Sequence, residues 1–434
     1  MRYVLPLIFC FLLLISISVA QDKPETVQPP DTILQIIDSS QTTATTESET
    51  DFVYPMSAER KAKLISYSKF KNVWRFVSFF IEIIIMALLL YTGLSAKFRN
   101  WAESISKKKF LVYLFYILFF SIFVFVVNLP FDYYRGFLIE HDYGFSNQTF
   151  GEWFTESLKS LGITFIFGVL ILSALYALIN KFKRWWLWFA VGTLPFMVLV
   201  IIIFPVVISP IFNDFQPLKD QHLADEMKQL AARAGIQDPD IFEVNASKQS
   251  KKLNAYFTGM LGTRRIVLTD NIINAFTVDE LKYVMGHEIG HYKMNHIWKG
   301  LFLAIGIIFV AMFLLDKSLH GMIKRNSKRF GFSRLGDIAS LPLIWLFVTV
   351  FSFVTQPINN GVSRVMEYHA DEYGLKLSGV SAETAAIAFD KLSVYNLSDP
   401  EPPSIIEFWF YDHPALAKRI ANVKKLYKDL QTES

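Results

Sequence analysis

The chain has 434 residues, of which 52% are hydrophobic, 16% aromatic and only 19% charged. With 41 Phe and a mean hydropathy of +0.32, it is too apolar for a disordered chain or an ordinary soluble enzyme. A net charge of +4 and a single cysteine, Cys10, argue against nucleic-acid binding and exclude a disulfide scaffold or a cysteine zinc cage.

The first twenty residues read as a secretory signal or a signal anchor. Arg2 supplies the charge, residues 4–19 the apolar stretch, and Ser18-Val19-Ala20 a small-x-small cleavage site. Residues 21–72 form a polar linker with a basic segment. Pro24, Pro29 and Pro30 are followed by a Ser/Thr/Glu-rich run at 39–50, and 57–71 suits an interfacial helix.

Six apolar segments follow, at about 76–95, 110–129, 161–179, 185–208, 300–315 and 338–357. A helix needs about 20 apolar residues to cross a layer about 30 Å thick. The fifth is short, so it is expected to continue a helix from the soluble region before it. The domain order expected is therefore a four-helix membrane region (73–208), a catalytic region (209–299), a membrane helix pair with a basic loop (300–357) and a second catalytic region (358–434). Glu82 lies inside the first span, where it is either paired within the bundle or part of an aqueous wall. Loops 96–109, 180–184 and 316–337 are rich in Lys and Arg, whereas 130–160 holds only Arg135 and Lys159. The positive-inside rule puts the basic loops in the cytoplasm and residues 209–299 on the exoplasmic or periplasmic side. A bacterial inner membrane is the favoured setting, and an endoplasmic reticulum membrane the other.

The soluble stretch between spans four and five has its own pattern. Residues 224–234 read as an amphipathic helix closed by Gly235, and 241–244 and 265–268 as strands of a small sheet. Thr277 and Glu280 form a capping box that starts a helix. That helix carries Met285-Gly286-His287-Glu288-Ile289-Gly290-His291-Tyr292. His287 and His291 are four apart, so both imidazoles project from one face and can share a Zn²⁺. Glu288 lies beside the metal's open position, where it can take a proton from water and pass it to a leaving amine.

A third ligand comes from elsewhere. His296 follows at the wrong spacing and reads as a polar residue near the membrane. Glu367 and Asp371, four apart, are the better candidates, one to ligate and the other to orient an imidazole.

Several ordered motifs accompany the metal helix. They are Gly144-Phe145-Ser146-Asn147-Gln148-Thr149, Pro210-Ile211-Phe212-Asn213-Asp214-Phe215, Asn254-Ala255-Tyr256-Phe257-Thr258-Gly259, Arg265-Ile266-Val267-Leu268, Glu367-Tyr368-His369-Ala370-Asp371 and the run from Tyr411-Asp412-His413-Pro414 to Arg419. With them the chain resembles, over roughly 70–430, the zinc-dependent CAAX prenyl proteases of the multi-span type. The resemblance implies a mainly α, polytopic bundle around an aqueous chamber, with a zincin-like catalytic domain that contains a small β-sheet. It implies His287, His291 and Glu367 as ligands of one Zn²⁺, Glu288 as catalytic base and acid, and Asp371 behind the ligands. Asn254 and His413 would position the peptide or stabilise the oxyanion. By themselves those two read as a turn residue and a helix-start residue. The N-terminal segment and the exoplasmic orientation depart from the family's usual pattern. The expected partners are a peptide or protein substrate, prenylated or membrane-associated, and the lipid bilayer. The expected function is a membrane metalloendopeptidase. A broad-specificity quality-control protease and a non-catalytic scaffold are the alternatives.

Overall fold

A computed structural model describes residues 56–258 and 264–433. The signal-like segment 1–20, Cys10 and the linker up to residue 55 lie outside the described residues. The membrane region begins with α1 (Ala58–Tyr91) and a short amphipathic helix, α2 (Leu94–Ile105). It continues through α3 (Lys109–Asp142), α4 (Phe150–Lys181) and α5 (Trp185–Ile211). A soluble unit follows, with β1 (Phe215–Pro217), α6 (Gln221–Arg233), β2 (Asp240–Val244), β3 (Ala255–Thr258), β4 (Arg265–Thr269), α7 (Asp270–Ala275) and α8 (Val278–Lys293). Two more long helices, α9 (His296–Phe330) and α10 (Ile338–Ser378), lead to α11 (Ala382–Asn396), α12 (Ser404–Phe410) and α13 (Leu416–Glu433).

Six helices, α1, α3, α4, α5, α9 and α10, are long and apolar enough to cross a bilayer, as the hydropathy suggested. Their side chains sort accordingly. On α1, Phe80, Ile84 and Leu88 lie four apart and face outward, while Ile85, Met86 and Leu89 are buried in the bundle. An exposed apolar stripe of this kind is stable against lipid. Glu82 faces the bundle and accepts a hydrogen bond from Trp345 Nε1, so of its two readings the paired one holds.

The helices are longer than hydropathy alone suggested. The basic segment is the first part of α1, capped by Ser57, whose side chain accepts from Arg60 N. Span five, expected to continue a helix from the soluble region before it, does extend back to His296 but is not continuous with α8. Asn295 adopts a left-handed conformation (φ 57°), which stops α8 and lets α9 start afresh at His296. α9 then runs to Phe330, through most of what read as a loop. Pro357, expected to close the sixth span, lies inside α10. Proline has no N–H to donate to the carbonyl four residues back, and Trp409 Nε1 donates to that Phe353 carbonyl instead, at 3.0 Å.

The sheet has the order β1-β2-β4-β3, with β2 and β4 parallel and the outer pairs antiparallel. Residues 255–258, which lie between the β2 and β4 runs in the sequence, are themselves the edge strand β3. Its register sets Ala255 opposite Leu268 and Thr258 opposite Arg265. The sheet, α6, α8 and parts of α10, α11 and α13 share one core, distinct from that of the membrane bundle.

Candidate metal centre and active site

The metal-binding helix α8 is fixed at both ends. Thr277 Oγ1 accepts from Glu280 N at 3.3 Å, and Glu280 Oε2 accepts from Thr277 N at 2.7 Å, completing the expected capping box. Lys391 of α11 adds an ion pair to Glu280 at 2.8 Å. In mid-helix, α8 crosses α10 with glycines at the contact. A Cβ on Gly374 would lie 2.7 Å from His287 N, and one on Gly286 would lie 3.0 Å from Gly374 O. Only hydrogen at these positions lets the two backbones approach so closely.

The crossing brings together three donors. His287 Nε2 and His291 Nε2 are 3.0 Å apart, Glu367 Oε1 lies 3.2 Å from His291 Nε2, and Glu367 Oε2 lies 3.4 Å from His287 Nε2. These three residues form the metal-capable group found among the described residues. Ligands each about 2.0–2.1 Å from one tetrahedral ion stand about 3.3 Å from one another, so the triangle fits. Glu367 is 4% exposed and its Oε2 has no hydrogen-bond partner. Arg419 Nη2 stands 3.4 Å from that oxygen, an ion-pair contact short of a hydrogen bond, and a cation held between the three groups would complete its coordination.

Behind the donors lies a second layer of polar contacts. Asp371 is fully buried and accepts from His287 Nδ1 at 2.8 Å. An ionised carboxylate only accepts, so Nδ1 carries the hydrogen and Nε2 is left to face the metal position. Arg419 grips the same carboxylate through Nε at 2.9 Å and Nη2 at 2.5 Å. Its role was not legible in the sequence, where it only closed a motif. His296 is also placed here. Its Nδ1 sits 3.0 Å from His291 Nδ1, so it lies outside the three-residue donor group and behind His291. No sequence spacing signals that contact.

Burial alone pulls the His287 pKa down, but Glu367 and Asp371 outweigh it and hold the imidazole at about 10. A cation at Nε2 takes the place of that proton. His413 behaves alike. Burial lowers it, Glu367 and Asp412 raise it more, and its pKa stands at about 9.

The centre opens onto a cavity of about 930 Å³ between the soluble unit and the membrane helices. Glu288 lines it, half-buried, with no hydrogen-bond or ion-pair partner among the described residues. His413 lines it too, with Nε2 3.4 Å from Glu367 Oε1 and Nδ1 3.0 Å from Asp412. Asn254, at the start of the edge strand, reaches the same space. Its carbonyl accepts from Thr269 Oγ1 at 2.8 Å, and the preceding Leu253 N donates to Asn396 Oδ1 at 2.8 Å. Val124, Phe167, Phe196 and Met197 supply apolar wall from the membrane helices. All seven residues singled out in the sequence thus lie at or directly behind this one site. Chemically the arrangement offers two imidazoles and a carboxylate for a metal, an unengaged carboxylate for proton transfer, and a further imidazole as donor.

Comparisons with known proteins follow the same division. Residues 217–427 match the model of peptidase family M48, and residues 41–214 match that of the CAAX prenyl protease N-terminal region, described as five membrane helices. An uncharacterized metalloprotease of Bacillus subtilis (strain 168), YhfN, is 34% identical over 360 residues, covering 83% of this chain and 84% of the relative. CAAX prenyl protease 1 of Saccharomyces cerevisiae is 34% identical over 316 residues, covering 68% of each chain. A crystal structure of S. mikatae Ste24p superposes with a TM-score of 0.72 at 26% identity, over 97% of each chain.

Proposed function

The chain belongs to the M48 peptidases of the CAAX prenyl protease family, multi-span membrane metalloendopeptidases, and on that premise we propose that His287, His291 and Glu367 hold one Zn²⁺ beside Glu288 as proton carrier. The donor set argues for zinc, since two imidazoles and one carboxylate leave a fourth tetrahedral position open. Bound there, zinc supplies Lewis acidity that polarises the scissile carbonyl and lowers the pKa of water. Glu288 accepts the proton of the attacking water and delivers it to the leaving amine. His413 Nε2–H donates to the carbonyl oxygen as charge develops on it. Asn254 holds the peptide backbone as it lies extended along the edge strand β3. Asp371 and Arg419 keep the His287 ring in the ligating orientation.

The single observation that carries this reading is the triangle of His287 Nε2, His291 Nε2 and the buried Glu367 carboxylate, whose Oε2 has no hydrogen bond, beside the cavity that His287 and Glu288 line. Its test is Glu288→Gln in the full chain. Peptidase activity should fall by about 10²–10⁴-fold, the usual worth of a positioned acid–base group, with bound zinc unchanged by elemental analysis. Substantial turnover in that variant would remove Glu288 from the mechanism.

For the substrate we propose a peptide with an apolar tail, the prenylated CAAX end being the form that the apolar cavity wall suits. A prenylated peptide should be cleaved faster than its unprenylated twin and faster than an unfolded protein. Equal cleavage of all three favours broad quality control instead. The charge asymmetry of the loops supports an exoplasmic site. A thiol introduced as Gln221→Cys on α6 should then react with an impermeant reagent in intact cells.

A further inference from the structure

At the end of the bundle remote from the metal centre, the fold joins segments far apart in sequence. α9 starts at His296, against His291, and a rise of 1.5 Å per residue carries Arg329 about 50 Å from there. At that end Phe330 packs edge-on against Tyr91, and the Arg329 guanidinium lies 4.6 Å over the same ring. A Cβ on Gly331 would meet Ala96 of α2 at 2.7 Å, and one on Gly93 would lie 3.7 Å from Arg329 O. Arg99 pairs with Asp337, and Asn180 Nδ2 donates to Gly336 O at 2.9 Å. The basic turns that follow α1, α4 and α9 therefore form one surface.

Little on that surface balances the charge. Segments 91–109, 180–185 and 316–337 carry carboxylates only at Glu103, Asp316 and Asp337. Asp337 is taken by Arg99, and Asp316 by Trp185 Nε1 at 2.8 Å and Lys317 at 3.1 Å. Lys97, Lys324, Lys328 and Arg329 remain exposed. On α2 the outward stripe reads Lys97, Trp101, Ile105, with Trp101 51% and Ile105 53% exposed, while Ala96, Phe98 and Ala102 pack inward. Large apolar side chains beside lysines suit the boundary between headgroups and acyl chains.

We propose that this face is a docking surface for anionic phospholipid in the leaflet opposite the metal centre. The lipid phosphate sits against Lys97, Lys328 and Arg329, and Trp101 and Ile105 reach the acyl boundary. Arg329, held over the Tyr91 ring and exposed, offers its N–H groups to phosphate oxygens. A zwitterionic headgroup brings no net charge to a surface with surplus cations, so the face discriminates by headgroup charge.

The test uses the full chain in phosphatidylcholine vesicles doped with brominated phosphatidylglycerol or, at the same fraction, brominated phosphatidylcholine. The Trp101 signal is isolated as the difference between the protein and Trp101→Phe. Brominated phosphatidylglycerol should quench it several-fold more strongly. Lys97→Gln/Lys328→Gln/Arg329→Gln should abolish that preference, since each cation near the surface is worth about fivefold. The triple variant with Lys97→Arg, Lys328→Arg and Arg329→Lys, which keeps all three charges, should keep most of it. Equal quenching by both lipids, or a preference that survives loss of all three charges, overturns the proposal.

Discussion

Gly374→Ala tests whether the helix crossing sets the metal geometry. The new Cβ would lie 2.7 Å from His287 N, 3.0 Å from His287 Cα and 3.2 Å from Tyr283 O, all on α8. These are helix atoms, with no flexible side chain to yield. Ordinary contact begins at 3.4 Å, so α8 and α10 must part by about 0.7 Å. Overpacking of a buried contact costs about 1–3 kcal/mol, offset by about 1 kcal/mol of better helix propensity. Global stability should therefore change by no more than about 2 kcal/mol. The metal is more exacting. Ligand constellations tolerate about 0.5 Å, and Glu367 rides on the displaced helix while His287 and His291 ride on the other. Zinc affinity should fall by about 10–100-fold, comparable with the loss of a supporting hydrogen bond. Chelator competition measures this, and the visible spectrum of the cobalt-substituted protein reports ligand geometry directly. A folded Gly374→Ala protein with unchanged zinc affinity and an unchanged cobalt spectrum would refute the reasoning.

Arg419→Gln leaves the buried Asp371 carboxylate without its cation. A broken buried pair costs about 3–5 kcal/mol, so the variant should melt earlier and bind zinc more weakly in chelator titrations. The pH dependence follows from His287. Its pKa of about 10 means that zinc uptake displaces a proton, so apparent affinity should drop about tenfold for each pH unit lowered from neutrality. In chelator-stripped protein the raised pKa works the other way. Its stabilisation is full below the usual 6.5 and is lost as pH rises through about 10, which melting curves across that window will show. Trp409→Phe removes the donor to Phe353 O and should cost about 1–3 kcal/mol. Adding Pro357→Ala restores a backbone N–H and should recover part of that loss in a double-mutant cycle.

Much of the architecture was legible because it is written in local periods. Apolar runs of about twenty residues mark the spans whatever they pack against, and a capping box followed by two histidines on one face marks the metal helix. The errors have physical causes too, one local and one long-range. Asn295 stops a helix through a left-handed conformation that hydropathy does not register, and Pro357 is tolerated because a distant tryptophan satisfies the carbonyl it frees.

The site divides along the same line. The pairing of His287 with His291 on one face, and Glu288 next to them, follows from helical pitch alone. Glu367 as the third donor, Asp371 and Arg419 behind His287, and His296 behind His291 depend on how separate elements meet. A carboxylate's meaning rests on its surroundings. The same Glu-x-x-x-Asp spacing on a solvated helix would hold nothing, and here two glycine-lined backbones press it, buried, against a pair of imidazoles. Helical pitch can be read from neighbours in the chain, whereas desolvation and charge pairing come from atoms dozens of residues away.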